Sequence, residues 1–450
     1  MLDALAVNAS VLIALWLWSR RQDAAFTVEY VVSRGHWFLF LTVLWLAVSY
    51  VNDLYDLKTA ADRQRSITAL VRAALIVFVI YPVIYFFLPP RSQARVPVFF
   101  SEVIAVFLLG LWRLVYSAAF TVPRFRRPAV IMGAGWAGRT IVEVVRDHLS
   151  LEYRLVGYVD DDPAKQDAVI AGLPVLGTSD QLMKVVQASD ISEIVVAITH
   201  SIPGELVGRL VECANRGVQI TPMTQLYERV TGKVAVEHVG TSWYFDLPIG
   251  GESSLSAMHF VKRGFDLLMA VIGLLISLPL YPLIALAIFA DNPGPIFYTQ
   301  KRVGLRGQTF RVIKFRSMVV GAERNGRARW ATEKDRRVTR VGRFLRKTRL
   351  DELPQLINVL RGQMSIVGPR PERPEFIDEL QEQIPFYRMR LRAKPGLTGW
   401  AQIHQRYAGS VQDSLLKLQY DLYYIRHWSV YLDLLILWKT AGAVLRLSGR

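Results

Sequence analysis

Apolar and polar positions alternate along this chain in three successive ways. The first is a set of four apolar stretches, roughly 2–18, 37–51, 67–88 and 96–119. Each predicts a membrane helix, although the first two are short for about 30 Å of hydrocarbon and Arg113 interrupts the fourth. Trp16, Trp18, Trp37, Trp45 and Trp112 suit the headgroup region. From Pro128 the runs become shorter and alternate between strand and helix periods. AVIMGAGWAGRTIVEVV reads strand, glycine turn, helix; LVGYVD ends at Asp160, and EIVVAI covers 193–198. Such alternation predicts a doubly wound, Rossmann-like α/β domain. Residues 218–251 read as a connector of short strands in which Trp243, Tyr244 and Phe245 would cover an interface.

The third pattern begins with a fifth apolar run, 264–290, of 27 residues. Length alone favours a membrane span. Two features point instead to a re-entrant helix that enters and leaves by the same face. Pro279 and Pro282 break the middle of the run, where each removes a backbone hydrogen bond. Both flanks are also basic, with Lys262 and Arg263 before the run and Lys301, Arg302, Arg306 and Arg311 after it. Beyond it, 296–302 and 309–315 predict a hairpin around GLRGQ, and 374–383, 413–426 and 430–447 predict helices. Asp433, Lys439 and Arg446 make the last one an interfacial helix, not a span. The boundaries follow: four membrane helices in 1–122, a Rossmann-like domain in 123–222, a connector in 223–258 and an α-rich domain in 259–450.

Composition narrows the class. The chain has 450 residues, 52% of them hydrophobic, with 11 Trp and a net charge of +16. These values describe a membrane protein with soluble parts. The single Cys213 rules out an internal disulfide framework, and Arg124, Arg126 and Arg127 mark the end of the fourth helix as cytoplasmic. No cleavable signal peptide is expected at the start. Residues 301–349 hold 17 Lys/Arg against three acidic residues, a local net of +14. Stacking aromatics are sparse there, so an anionic membrane surface or a phosphorylated substrate is expected, and no nucleic acid.

Two places carry candidate chemistry. Gly133, Gly135 and Gly138 are spaced G-x-G-x-x-G between a strand and a helix, and Asp160 stands where a ribose-binding acid would stand in a dinucleotide fold. The same glycines could merely let helix and strand pack closely. The other place is RLDELPQLINVLRGQMSIVGPRPE at 349–372, with adjacent Asp351 and Glu352 at the start of a short helix. Leu353, Leu356, Ile357 and Leu360 give that helix an apolar face, and Arg370 follows in a Gly-Pro-Arg-Pro turn. Carboxylates and an arginine there suit a phosphate with a divalent cation. A plain N-cap at Asp351 is the alternative, and Asp421 is either a third site carboxylate or the i+4 partner of Lys417.

These residues resemble the large bacterial polyprenyl-phosphate sugar-1-phosphate transferases, monotopic phosphoglycosyl transferases preceded by four membrane helices. The matching pieces, in order, are KRGFD, FYTQKRVG, FRVIKFRSM, LDELPQLINVLRGQMSIVGPRPE, KPGLTGWAQI, YDLYYIRHWS and LDLLIL. The resemblance implies that a UDP-sugar gives its sugar 1-phosphate to undecaprenyl phosphate, releasing UMP, as the first membrane step of exopolysaccharide, capsule or O-antigen synthesis. It implies Asp351 as nucleophile, Glu352 as the Mg²⁺ ligand and Asp421 as a third functional carboxylate, in a homodimer of the inner membrane. Lys314, Arg316 and Arg370 are expected to contact phosphate. Two departures stand out. Leu278 precedes Pro279 where the family has serine, with Ser277 displaced by one, and Ile403-His404-Gln405-Arg406 replaces the usual Asn-Gly. A glucose or galactose donor is expected. A membrane-anchored nucleotide-sugar dehydratase is excluded, because no tyrosine is followed four residues later by lysine. A non-catalytic nucleotide-sensing scaffold predicts instead that Asp351→Asn leaves function unchanged.

Overall fold

The computed structural model describes the chain apart from residues 1, 24, 53, 56–58, 61–62, 87–94, 120–125, 200–201, 237–251, 323–334, 336, 385, 406–409 and 446–450. Arg124, Trp243, Tyr244, Phe245, Arg406 and Arg446, singled out above, lie outside the described residues. The chain divides into two compact units, 1–127 with 147–154, and 128–146 with 155–450.

The first unit is helical, with long helices Leu2–Arg21, Gly35–Val51, Arg63–Phe86 and Arg95–Ala119. Leu2–Arg21 and Pro97–Tyr116 are long and apolar enough to cross a membrane. Val11, Leu41, Trp45, Ala73, Ala105 and Leu109 meet in its core, while Leu39, Leu75 and Phe107 face outward. Two polar details stand out. Trp37 and Trp45 turn into the helical core, and the Trp45 indole N–H donates to Glu102 at 2.8 Å. Arg113 also points inward, donating to Asp3 at 2.5 Å and to the Leu54 carbonyl at 3.0 Å. Paired and turned inward, that charge is compatible with an apolar helix.

The second unit opens with a sheet in which Tyr153–Val159 is outermost, followed by Arg127–Met132, Glu193–Val196 and Gln219–Pro222. The last three strands pair in parallel, with Val130 opposite Ile194 and Ile194 opposite Ile220. Helices Trp136–His148, Leu182–Ala188 and Gly204–Asn215 supply the crossovers. Gln219–Pro222, among the short strands expected from 218 on, completes this sheet at the end of the 123–222 domain, and helix Met223–Thr231 follows it.

The apolar run near 264–290 lies in two helices, Glu252–Ser277 and Leu280–Asp291, bent by 61°. Only one proline makes the break. Pro279 has no N–H to continue the ladder, whereas Pro282 sits in the first turn of the second helix, where no bond is lost. Leu268, Leu275, Ile276, Leu283, Leu286 and Phe289 lie on its exposed surface. Strands Phe297–Val303 and Thr309–Phe315 then pair antiparallel, Phe297 opposite Phe315, through a turn in which Gly307 takes φ +83°. Helix Arg340–Thr348 follows, capped by Thr339, whose hydroxyl accepts from Gly342 N–H at 2.9 Å.

The C-terminal helices Val411–Arg426 and Val430–Leu445 close the core around Leu356, Val359, Ile366, Trp400, Leu432 and Ile436. Tyr431, Leu434 and Trp438 stay exposed along the last helix. Asp433 corrects the reading of its polar positions. It is 1% exposed and turned into the protein, where Lys262 donates to it at 2.7 Å and the Tyr424 hydroxyl at 2.9 Å.

Candidate active site

Asp351 and Glu352 do not begin an α-helix. They lie in a 3₁₀ turn, Leu350–Glu352, and the α-helix starts only at Gln355 and runs to Leu360. Arg349, at φ +57°, ends the preceding helix and turns the chain into this 3₁₀ segment. An arginine held in the left-handed region costs of order 1 kcal/mol or more, which the surrounding packing must offset. The N-cap reading of Asp351 is therefore not what the fold contains. Arg349 and Pro354 occupy the cap positions, and neither makes a side-chain cap bond.

Neighbouring elements fix the turn. Asn358, fully buried, accepts from Ile313 N–H at 3.1 Å and donates to the Arg311 carbonyl at 2.8 Å, stapling the dyad helix to the strand that carries Lys314. Arg263 caps the other end of that helix through the Val359 and Leu360 carbonyls at 2.7 and 2.8 Å. Strands Ser365–Val367 and Gly396–Thr398 pair in parallel and launch the Arg370 turn. A Cβ on Gly396 would lie 2.1 Å from the Gly368 nitrogen, so that approach admits only glycine.

The two carboxylates are equally buried, at 7% and 8% exposure, but differ in their partners. Glu352 Oε1 accepts from Lys314 Nζ at 2.9 Å and from Arg370 at 2.7 Å, while the Arg349 guanidinium lies 3.8 Å from Oε2. Among the described residues no donor hydrogen-bonds the Asp351 carboxylate. Burial, and then repulsion from Glu352, pushes the Asp351 carboxyl up to about 6 against the pull of Lys314, Arg346 and Arg370. Burial also acts upward on Glu352, yet Arg370 and Lys314 outweigh it and hold this group well below the usual carboxylate range. Burial pushes the Lys314 ammonium down, despite Glu352. One carboxylate is thus held by cations, and its neighbour is left free.

Arg316 and Asp421 stand apart from this pair. Arg316 is buried and donates to the Asn292 carbonyl at the exit of the bent helix pair; its Nη1 is among the buried atoms without a hydrogen-bond partner. Asp421, 1% exposed, does not pair with Lys417 as the i+4 spacing suggested. Its Oδ2 accepts twice from Arg390, at 3.0 and 2.6 Å, while Lys417 bonds Glu372. Arg390 donates onward to the Arg370 carbonyl and to the Tyr387 hydroxyl, both at 3.1 Å. Lys417 and Arg390 overcome the upward push of burial and hold Glu372 at about 2. Arg390 and Arg346 escaped the sequence reading, because nothing in their spacing ties them to the dyad, and Glu372 lies inside the 349–372 stretch without being given a role there.

The glycine turn of the sheet domain is internally occupied. Asp160 accepts from the Ala134 and Asp162 N–H groups at 2.7 and 2.9 Å and from Lys165 at 3.2 Å. A Cβ on Gly138 would come within 2.0 Å of the Gly133 carbonyl, so this glycine permits close packing of the helix on the turn. Gly133 takes φ +103°, and Gly135 faces open space. At the departure near 404, His404 Nδ1 lies 2.9 Å from the Trp400 carbonyl and its ring stacks on Tyr420.

Residues 257–447 match the family described as bacterial sugar transferase, and 50–223 match a CoA-binding domain family. Among curated relatives, the chain is 37% identical over 66% of its length to an Aeromonas hydrophila UDP-N-acetylgalactosamine-undecaprenyl-phosphate N-acetylgalactosaminephosphotransferase, covering 63% of that protein. It is 35% identical over 61% of its length to the Xanthomonas campestris UDP-glucose:undecaprenyl-phosphate glucose-1-phosphate transferase, covering 57%. It is 34% identical over 74% of its length to the Escherichia coli protein of the same description, covering 74%. The chain thus spans about six-tenths of the first two relatives.

Proposed function

This chain belongs to the family of bacterial undecaprenyl-phosphate sugar phosphotransferases, and on that premise we propose that it carries a hexose 1-phosphate, glucose or galactose, from a UDP-sugar to undecaprenyl phosphate. UMP is the second product. The observation that carries this reading is the asymmetry of the dyad, a free carboxylate beside one gripped by Lys314 and Arg370.

In the first step an Asp351 oxygen attacks the β-phosphorus of the donor. The bond from that phosphorus to the bridging oxygen breaks, and UMP leaves with the electron pair. A phosphosugar–aspartate mixed anhydride remains. In the second step an oxygen of undecaprenyl phosphate attacks the same phosphorus, the anhydride bond from phosphorus to the Asp351 oxygen breaks, and the carboxylate is restored. No proton needs to move in either step. A carboxylate attacks an anionic phosphate only where cations offset the repulsion, and Lys314, Arg346 and Arg370 are the positive groups acting on Asp351. Arg316, apart from these three, would be a phosphate contact only through its unpartnered Nη1.

A magnesium ion fits the donor set. It commonly takes one or two carboxylates and completes its shell with phosphate oxygens and water. Glu352 Oε1 is occupied by two cations, whereas Oε2 has only Arg349, at 3.8 Å, and would be the ligand. Among the described residues no cluster of three acidic, His or Cys side chains is present, so the substrate would supply the remaining oxygens. Such an ion supplies charge neutralisation on the phosphates.

The reading also sets the protein in the membrane. The bend of 61° and the exposed leucines fit a helix pair that dips into one leaflet, and the helices of the first unit would form a four-helix membrane anchor. The soluble parts would then face the cytoplasm, where nucleotide sugars are, with two copies forming a homodimer.

The test is UMP release by the full chain in nanodiscs with undecaprenyl phosphate, using UDP-glucose, UDP-galactose and UDP-N-acetylgalactosamine. The first or second should turn over, and radiolabelled phosphosugar should stay on the protein when lipid is withheld. Asp351→Asn should abolish both. Trapped label on that variant would overturn the assignment of the nucleophile, and release of UMP with none of the donors would overturn the function.

A further inference from the structure

We propose that Arg390, held by Asp421, is a positioning residue that fixes the main chain of the Arg370 turn, and that Asp421 serves the reaction only through it. The inference rests on the transferase reading above and changes the part played by the third carboxylate.

Arg370 reaches Glu352 from a turn that has few bonds of its own. Gly368 N–H donates to the Thr398 carbonyl at 2.9 Å, and the Pro369 carbonyl accepts from Gly396 N–H at 2.9 Å. Prolines flank Arg370 on both sides, so the backbone N–H that would follow it is missing. The carbonyl of Arg370 is the next handle along the chain, and Arg390 takes it at 3.1 Å. Arg302 takes the following carbonyl, that of Pro371, at 3.1 Å.

Arg390 can hold that carbonyl because its own fork is fixed. Nε and Nη2 both meet Asp421 Oδ2, and Nη1 meets the Tyr387 hydroxyl at 3.1 Å and lies 3.5 Å from Glu372. A planar guanidinium with five donors serves these partners at once, whereas a lysine ammonium could not reach them in one geometry. Asp421 and Arg390 are 1% and 2% exposed. Among the described residues Asp421 makes no ion pair or hydrogen bond to the dyad; its hydrogen-bonded partner is Arg390. The path to the reacting atoms is Asp421, Arg390, the Arg370 main chain, the Arg370 guanidinium, Glu352.

A loosened turn would leave the guanidinium of Arg370 present but misplaced. Errors of that kind, on the order of 1 Å, can lower turnover about a hundredfold. The experiment is a double-mutant cycle in nanodiscs, read as kcat and KM for UMP release with the donor that the parent protein uses. Arg390→Lys should lower kcat by about tenfold to a hundredfold and leave the donor KM within a few-fold. In an Arg370→Ala background the same substitution should cost less than about threefold, because the group it positions is gone. Asp421→Asn should behave like Arg390→Lys in both backgrounds. Equal losses in the two backgrounds, or an Arg390→Lys variant with the parent's kcat, would overturn the positioning role. If Arg390→Lys fails to fold by thermal melting, Asp421→Asn decides alone; failure of both to fold would make the pair a fold element and refute the proposal. An active Asp351→Asn control would count against the reaction itself, separately from this inference.

Discussion

Asp351 and Glu352 share a turn and a degree of burial, yet their surroundings push them in opposite directions. Such separation of two neighbouring acids is a familiar way of assigning distinct roles. It also has a cost in stability. A carboxyl whose folded-state pKa is raised to about 6, from near 4 when unfolded, destabilises the fold whenever it is ionised. That cost is full above about pH 6 and vanishes as pH falls toward about 4. Asp351→Asn removes it, so the variant should be more stable than the parent by roughly 1–3 kcal/mol at pH 8. The gap should close between about pH 6 and 4, which melting in nanodiscs across that range would measure; a gap independent of pH would refute it. The adjacency of the two acids before a short apolar run could be read in sequence, but there a plain cap at Asp351 fits it as well as a site does. Their supporting network could not be read. Spacing leaves Asp421 either a site carboxylate or the i+4 partner of Lys417, and the two turn to different partners, Arg390 and Glu372. Which of several buried ions pair is settled by the folded geometry of the Arg370 turn, and helical periodicity carries no information on that.

At the scale of elements, the apolar run and its break could be read from composition, and the break itself shows why one proline matters and the other does not. Pro279 removes a ladder bond, whereas Pro282 falls in a first turn that has none to lose. Gln219–Pro222 is less legible: a short strand is expected there, but not its parallel partner, 193–196, more than twenty residues away. Short strands buried by such crossovers have little period of their own. The bent helix pair makes a topological prediction. In a Cys213→Ser background, Phe260→Cys and Lys301→Cys stand beyond either end of the apolar run, both at exposed positions. A re-entrant pair puts both on one face, so a membrane-impermeant maleimide should label both in sealed inside-out vesicles and neither in right-side-out ones. Labelling of one in each orientation would establish a span and overturn re-entry.

Across the second unit, the sheet domain and the transferase core are joined through helix Met223–Thr231 and the residues just after it. Glu228, 4% exposed, accepts from Arg426 at 2.8 Å and lies 2.9 Å from His427 Nε2. Four residues on, Gly232 takes φ +63° and its carbonyl accepts the Trp400 indole N–H at 2.8 Å. A Cβ there would lie 3.0 Å from the indole ring, so both the turn and the contact call for glycine. Val234 N–H then donates to the Gln419 carbonyl at 3.1 Å, on the helix that also carries Asp421. Glu228 is therefore the charged anchor of a seam that ends two residues from the Asp421–Arg390 pair. Glu228→Gln keeps the shape but removes the charge opposing Arg426. Charged hydrogen bonds of this kind contribute roughly 1.5–3 kcal/mol. If the seam opens as a unit, losing most of that should speed exchange of the Val234 amide about tenfold or more, since about 1.4 kcal/mol is a factor of ten. Hydrogen exchange read on peptides covering 228–236 measures this in the full chain. Unchanged protection at Val234 would mean that the Trp400 contact holds the seam without Glu228.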